Sequence, residues 1–251
     1  MRNNTLSIYD SYHKHFANTA VQHKLISDNN FTYVNFFRYI LPIIRKAKPK
    51  RILDIGSGAG TLSLLLASQG FNVVGIDISM IAIQKSKLSA KYLNLQKRID
   101  FVSCNFFDFD SIEKFDLILC SEVIEHVINE VKFLKKVRSL LVNNGYVIFS
   151  TPLNSAPLVK LGITKTFDNQ VGHLRRYDKN NFIYLLNSNK LYVEKVIETE
   201  GIIRNSLFVF PILGFIVKFI RGPLVRGLTL IDDIFGALLG FSDLIVIAVK
   251  Q

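Results

Sequence analysis

Cysteine is scarce: the 251 residues contain only Cys104 and Cys120, each in an apolar run and without C-x-x-C or histidine-rich spacing. That excludes a disulfide framework or a cysteine-ligated zinc centre, and the two thiols read as core residues of a reducing compartment. Acidic residues are also few. Asp and Glu number 20 against 31 Lys and Arg, a net charge of +11. Nine of the basic residues fall in 1–51, where Asp10 and Asp28 oppose them, so that segment carries +7 and the other 200 residues +4. Such a stretch suits anionic lipid or nucleic acid. It lacks a base-reading motif and any regular interleaving of aromatic and basic side chains, so a nucleic-acid partner is not expected. The cluster Arg45, Lys46, Lys48, Lys50, Arg51 reads more simply as a solvated helix end and loop. Long hydrophobic runs are missing too. In the apolar tail 202–220, Arg204, Pro211 and Lys218 intervene and leave an uncharged run of 13 residues, too short to span a bilayer. Met1 to His15 is polar, without the apolar core of a signal peptide, so the cytoplasm is the expected location. Neither a repeat nor a low-complexity linker is found, and 49% hydrophobic content over this length fits one well-buried domain with an appendage.

What is present is concentrated in Arg51 to Gly60, Arg-Ile-Leu-Asp-Ile-Gly-Ser-Gly-Ala-Gly. Ile52, Leu53 and Ile55 read as a buried strand. Gly56, Gly58 and Gly60, with Ser57 between them, allow a tight turn and close approach of a ligand to the backbone. A second apolar strand ends at Asp77, followed by Ile78, where a carboxylate can accept hydrogen bonds from both ribose hydroxyls. The glycine spacing is G-x-G-x-G, with Thr61 where the last glycine of a dinucleotide fingerprint would fall. The acid Asp54, two residues ahead of the turn, would repel a pyrophosphate but suits a ligand carrying an ammonium or sulfonium group.

These residues resemble the first and second motifs of class I S-adenosylmethionine-dependent methyltransferases, and the likeness runs with varying strength from about Lys50 to Lys250. The resemblance implies that Gly56, Gly58 and Gly60 line the methionine and ribose of S-adenosylmethionine, that Asp54 lies near its amino-acid end, and that Asp77 holds the ribose. It also implies a Rossmann-like, seven-stranded, mostly parallel sheet with helices on both faces and the last strand antiparallel.

The rest of the sequence keeps the same rhythm. Apolar residues at helical spacing predict a lid helix over Phe31 to Arg45, making 1–48 an N-terminal helical lid and 49–251 the main domain, with an apolar helical insertion near 202–240. Strand and helix then alternate: helix 61–68, strand 71–76, helix to Tyr92 capped by Ser79, strand 99–103, strand 115–120, helix 130–141, strand 146–150, helix 179–186 capped by Asp178, and strands 192–198 and 243–249. Such alternation implies right-handed βαβ units whose ligands sit at the carboxyl ends of the strands.

Three further tracts carry candidate chemistry. Asn105 and Phe106 follow the third strand, where the resembled family usually places an acid on the adenine amino group; an asparagine amide and a flanking phenyl ring can serve instead, with Asp108 as the alternative acid. In Cys120 to Val127, Ser121 and Glu122 are expected at the methionine end of the cofactor. Glu122, Glu125 and His126 would share a face if the turn is helical, a set that suits a divalent cation. This E-x-x-E-H pattern resembles ubiquinone-biosynthesis O-methyltransferases, in which these positions are associated with Mg²⁺. The alternative is a metal-free V-x-E-H-V run in which the histidine closes the cofactor pocket. In Gly172 to Tyr177, His173 and His126 are candidate general bases. Arg175 and Arg176 either hold an acidic substrate or anchor the loop. The apolar segment 202–226 is open to membrane contact, to a lipophilic substrate, to core packing or to a dimer. The expected reaction is O-methylation of a small lipophilic phenol or quinol, with a saccharide or lipid-linked acceptor as the alternative. Two rivals are an NAD(P)-dependent dehydrogenase, which lacks support in the glycine spacing, and a non-catalytic binding module.

Overall fold

The computed structural model describes residues 20–210, 213, 217 and 219–251. The expectations for the first nineteen residues, and for most of 211–218, fall outside these. Strands and helices alternate as the sequence implies: α1 (Leu41–Ala47), β1 (Arg51–Ile55), α2 (Thr61–Ser68), β2 (Asn72–Asp77), α3 (Met80–Tyr92), β3 (Ile99–Ser103), β4 (Phe115–Ser121), α4 (Glu130–Leu140) and β5 (Leu141–Pro152). They continue through α5 (Pro157–Lys160), α6 (Lys165–Val171), α7 (Lys179–Ser188), β6 (Leu191–Thr199), α8 (Ile202–Val209), α9 (Pro223–Leu239) and β7 (Asp243–Lys250).

The seven strands form one sheet in the order β3-β2-β1-β4-β5-β7-β6, with β7 antiparallel to both of its neighbours. Successive side chains of β1 serve opposite layers. Leu53 and Ile55 join Phe133, Val137, Phe149 and Phe182 beneath α4 and α7, whereas Ile52 joins Leu64, Leu66, Ile83 and Ile44 beneath α1, α2 and α3. A strand apolar on both faces is what a central position in a parallel sheet requires. The strand order reverses between β1 and β4, and that switch point opens the crevice above their carboxyl ends.

The expected helix 31–45 is broken. A 3₁₀ turn over Phe31–Tyr33 and a π segment over Phe36–Ile40 precede α1. Pro42 has no N–H to offer Arg38, and its ring crowds that carbonyl, so the preceding turn widens. The fifth strand begins earlier than expected, because Leu141 already pairs with Phe115 and the Asn143-Asn144-Gly145 turn bulges out before Tyr146 resumes pairing with Leu117.

A third apolar cluster, Phe31, Val34, Leu207, Ile220 and Val225, caps the crevice. Arg204 on α8 organises it. The side chain is fully buried, its guanidinium lies 4.3 Å from the centre of the Phe31 ring, and Nη2 donates to the carbonyl oxygens of Phe31 at 2.6 Å and Thr32 at 3.2 Å, while Nε donates to Glu200 at 3.1 Å. The first turn of α8 has no cap of its own, and Asp232 of α9 replaces one by accepting from the N–H groups of Gly201 at 2.8 Å and Arg204 at 3.0 Å. Removing one partner of a buried ion pair costs about 3–5 kcal/mol. Arg204→Met is therefore expected to lower the urea midpoint by an amount equivalent to about 3 kcal/mol or more, and an unchanged midpoint would show that the cap does not depend on this side chain.

Candidate active site

The turn after β1 is built by its backbone. Gly56, Gly58 and Gly60 have φ of 73°, 53° and 77°, the left-handed region where a Cβ is strained. The N–H groups of Gly56 and Ser57 both donate to the carbonyl of Ile76 at 2.9 Å, which ties the turn to the end of β2. Asp77 completes the link: its Oδ2 accepts from Gly58 N–H and its Oδ1 from Ser79 N–H, both at 2.8 Å. The carboxylate stands at the tip of β2 and lines the cavity, where the ribose hydroxyls of a nucleoside would meet it.

Asp54 is 4% exposed, and its Oδ2 accepts from Ser63 Oγ at 2.5 Å. Burial raises its carboxyl to about 7, against the lowering effect of the Ser63 hydrogen bond and with a further upward push from Asp77.

A cavity of about 2110 Å³ runs above the strand tips. Asp54, Gly56, Ser57, Gly58, Asp77, Ile78, Asn105, Phe106, Ser121 and Glu122 all line it, together with His126 and His173. Gly60 does not. An added Cβ there would stand 2.6 Å from the Phe101 ring, so this glycine lets α2 pack against β3. Asn105 caps the turn that follows β3, its Oδ1 accepting from Phe107 N–H at 2.9 Å, which leaves the amide Nδ2 for a ligand. Phe106 packs on Phe133 with ring centres 4.7 Å apart.

The segment Glu122 to His126 differs from the helical turn that the spacing predicts. Glu122 sits at φ 53°, and only Ile124–His126 form a 3₁₀ turn, so Glu122 falls out of phase with Glu125 and His126. Its Oε1 accepts from Ser150 Oγ at 2.8 Å, and Ser150 also bonds Ser121. The partner that meets Glu125 and His126 is His173, from the loop after α6. One ligand atom from each of Glu125, His126 and His173 lies within 4.8 Å of the others.

The tautomers in this cluster follow from the partners. His126 Nδ1 lies 2.9 Å from the carbonyl of Gly172, which can only accept, so Nδ1 carries the proton and Nε2 a lone pair. Burial lowers its imidazole to about 4. His173 Nδ1 lies 2.9 Å from Asp168 Oδ1. Burial raises the Asp168 carboxyl, but hydrogen bonds from His173 and Arg176 outweigh that and hold it well below the usual range, so Asp168 accepts from His173 Nδ1–H and Nε2 is the ring nitrogen turned toward Glu125. Glu125 is fully buried; Oε2 accepts from Thr151 Oγ1 at 3.2 Å, while Oε1 has no hydrogen-bond partner and stands 3.8 Å from His126 Nε2 and 4.0 Å from His173 Nε2. Burial, with Glu122 nearby, raises the Glu125 carboxyl well above its ordinary value.

Arg175 and Arg176 both anchor the loop. Arg175 bonds Glu130 and the Val127 carbonyl, and Arg176 forks onto Asp168 with Nη2 at 2.6 Å. Sequence reasoning missed Asp168 and Ser150, and no motif marks either one.

A family model described as a methyltransferase domain matches residues 46–195. The chain belongs to this family, and its sheet and glycine turn are those of the class I S-adenosylmethionine-dependent methyltransferases. The ubiquinone biosynthesis O-methyltransferase of Bradyrhizobium diazoefficiens is 40% identical over 101 residues, 40% of this chain and 39% of that protein. The protein of the same name from Histophilus somni is 37% identical over 108 residues, 41% and 44% of the two chains. The chain thus spans less than half the length of these curated relatives. Among solved structures, N-methyltransferase NodS from Bradyrhizobium japonicum WM9, in complex with S-adenosyl-L-homocysteine, superposes with a TM-score of 0.62 at 15% identity over 97% of this chain and 98% of that one. Magnesium protoporphyrin IX methyltransferase from Synechocystis PCC 6803 gives 0.61 at 14% identity over 98% and 95%. At these identities the likeness is one of fold.

The pocket of this methyltransferase fits S-adenosylmethionine. A Cβ on Gly56 would stand 2.4 Å from Val123 Cγ2, so the turn tolerates no side chain where the ligand approaches. Ser57 Oγ is buried without a partner, Asp77 lines the cavity at the tip of β2, and Asp54 offers a carboxyl for an ammonium group. Since an ammonium favours the ionised form of Asp54, binding should expel its proton. Affinity for S-adenosylhomocysteine is expected to tighten as pH rises toward about 7 and to level off above it. Calorimetry from pH 5.5 to 8 reads this directly; Asp54→Asn should flatten the profile, and a flat wild-type profile would remove Asp54 from the ligand.

Proposed function

We propose that this methyltransferase transfers a methyl group from S-adenosylmethionine to a hydroxyl oxygen of a small, lipophilic acceptor. The observation that supports it most is the Asp168–His173 pair, whose free Nε2 lines the same cavity as the glycine turn. S-adenosylmethionine supplies an electrophilic methyl carbon and leaves as a neutral thioether. The residues then have two tasks. The turn at Gly56 to Gly58, with Asp54 and Asp77, fixes both ends of the ligand so that the acceptor oxygen, carbon and sulfur align; orientation of this kind is worth about 7–11 kcal/mol of a barrier. His173 Nε2 takes the acceptor proton as the new C–O bond forms, and the Asp168 carboxylate stabilises the imidazolium. His126, whose imidazole burial holds near 4, is a poor base near neutral pH, and its place is to wall the pocket beside His173.

Glu125 Oε1, His126 Nε2 and His173 Nε2 are spaced as a donor set for a divalent ion, and two imidazoles favour a transition ion over Mg²⁺; with such an ion bound, His173 would be a ligand and the ion, as a Lewis acid, would take over its task of lowering the hydroxyl's pKa. The names of the curated relatives support a phenol or quinol acceptor. The apolar wall of Phe31, Leu207, Val217 and Ile220 supports the lipophilic part of that reading and leaves room for peripheral membrane contact through 202–226, although no described helix is long and apolar enough to cross a membrane.

Mass spectrometry of cell extract incubated with the protein and methyl-labelled S-adenosylmethionine tests the reading. A labelled small molecule is expected. His173→Asn should lower its rate of formation by about 10²–10⁴ while leaving S-adenosylhomocysteine affinity unchanged. Label appearing in macromolecules instead, or an unaltered rate in the variant, would contradict it.

A further inference from the structure

Beyond the residues assigned to the cofactor, the cavity lining holds buried polar groups that lack partners. Asn35 is 7% exposed, and neither Oδ1 nor Nδ2 has a hydrogen-bond partner. Asn205 is 9% exposed with Oδ1 unpartnered. Asp243 Oδ1 and Arg176 Nη1 are buried and unpartnered as well, although the rest of the Arg176 fork is engaged on Asp168. All four side chains line the one cavity. Buried polar atoms are nearly always paired, so several around a single space point to a ligand that pairs them.

The kinds of atom narrow the ligand. Asn35 Oδ1, Asn205 Oδ1 and Asp243 Oδ1 can accept; Asn35 Nδ2 and Arg176 Nη1 can only donate. An ammonium group donates only and would leave the two donors unpaired. A phosphate accepts only, so it would leave the amide oxygens of Asn35 and Asn205 unpaired. A phenol or quinol brings one or two hydroxyls on a flat apolar ring, too few for five atoms spread over four residues. Several hydroxyls on one ring both donate and accept, and they match the set. The same cavity also has an apolar lining, made by Phe31, Leu207, Phe208, Val217 and Ile220.

We infer that the acceptor is a hydroxyl-rich, glycoside-like ring carrying an apolar substituent, its hydroxyls held by Asn35, Asn205, Asp243 and Arg176 and its substituent by the wall around Phe31. This rests on the methyl-transfer reading and keeps its hydroxyl oxygen as the methylated atom, but it departs from the phenol or quinol that the relatives' names support, because such a ring leaves most of the five atoms unpaired. Sites built to hydrogen-bond a hydroxyl discriminate strongly against compounds that lack it, so the difference is large enough to measure.

The test uses the full chain and deuterated-methyl S-adenosylmethionine. The probes are hexyl glycosides of glucose, galactose, mannose and rhamnose, set against hexylcatechol and hexylamine, with products read by mass spectrometry. Methylation of at least one glycoside, in preference to the catechol and the amine, is expected. Asn205→Leu and Asn35→Leu should each lower its kcat/KM at least tenfold, while the calorimetric Kd for S-adenosylhomocysteine stays at the wild-type value and shows the variants to be folded. Preference for hexylcatechol or hexylamine, no transfer to any glycoside, or variants that leave glycoside turnover intact would overturn the inference without touching cofactor binding. Failure of the wild-type protein to bind S-adenosylhomocysteine would instead bring down the methyl-transfer reading, and the acceptor assignment with it.

Discussion

The carboxylate of Asp77 joins two strand tips that the sheet alone only sets side by side. By accepting from Gly58 N–H and Ser79 N–H, it fixes the glycine turn after β1 to the start of α3, and the turn's own N–H groups return to the carbonyl of Ile76. The rest of the site is measured from this junction. Asp54, Asn105, Glu122 and His126 line the same cavity around it. A left-handed backbone at three glycines would be an idle cost unless something approached them closely, and at Gly56 the space for a Cβ is already taken by Val123.

The sheet itself was legible in the sequence because each signal was local. Ile52 to Ile55 is apolar on both faces, Ser79 and Asp178 cap the helices they precede, and the alternation of strand and helix dictates a parallel sheet. The errors of the reading are also local and have local causes. Pro42 splits the helix expected over 31–45, and a left-handed Glu122 breaks the i, i+3, i+4 phase assumed for the E-x-x-E-H run.

The acceptor half of the cavity was not legible. Arg176 was visible as a candidate for holding a substrate, but Asn35, Asn205 and Asp243, which meet it around the cavity, stand far apart in sequence and each alone is an ordinary polar residue. His173 was visible as a candidate base, but its orienting acid Asp168 and its meeting with Glu125 and His126 depend on how the loop after α6 folds back, a placement set by Arg175 on Glu130 and Arg176 on Asp168. In the tail 202–220, Arg204 was visible as an interruption of the apolar run, but its burial and its hold on Phe31 and Thr32 were not.

The central claim is that the junction at Asp77 and the glycine turn receives an adenosyl amino acid. Amide chemical-shift mapping of the isotope-labelled protein on addition of S-adenosylhomocysteine tests it most directly. The account predicts saturable shifts concentrated at Gly56 to Gly60, Asp77 to Ser79, Asn105 to Phe107 and Ser121 to Val123. Shifts that avoid these four segments, or that appear there with NADH but not with S-adenosylhomocysteine, would contradict it.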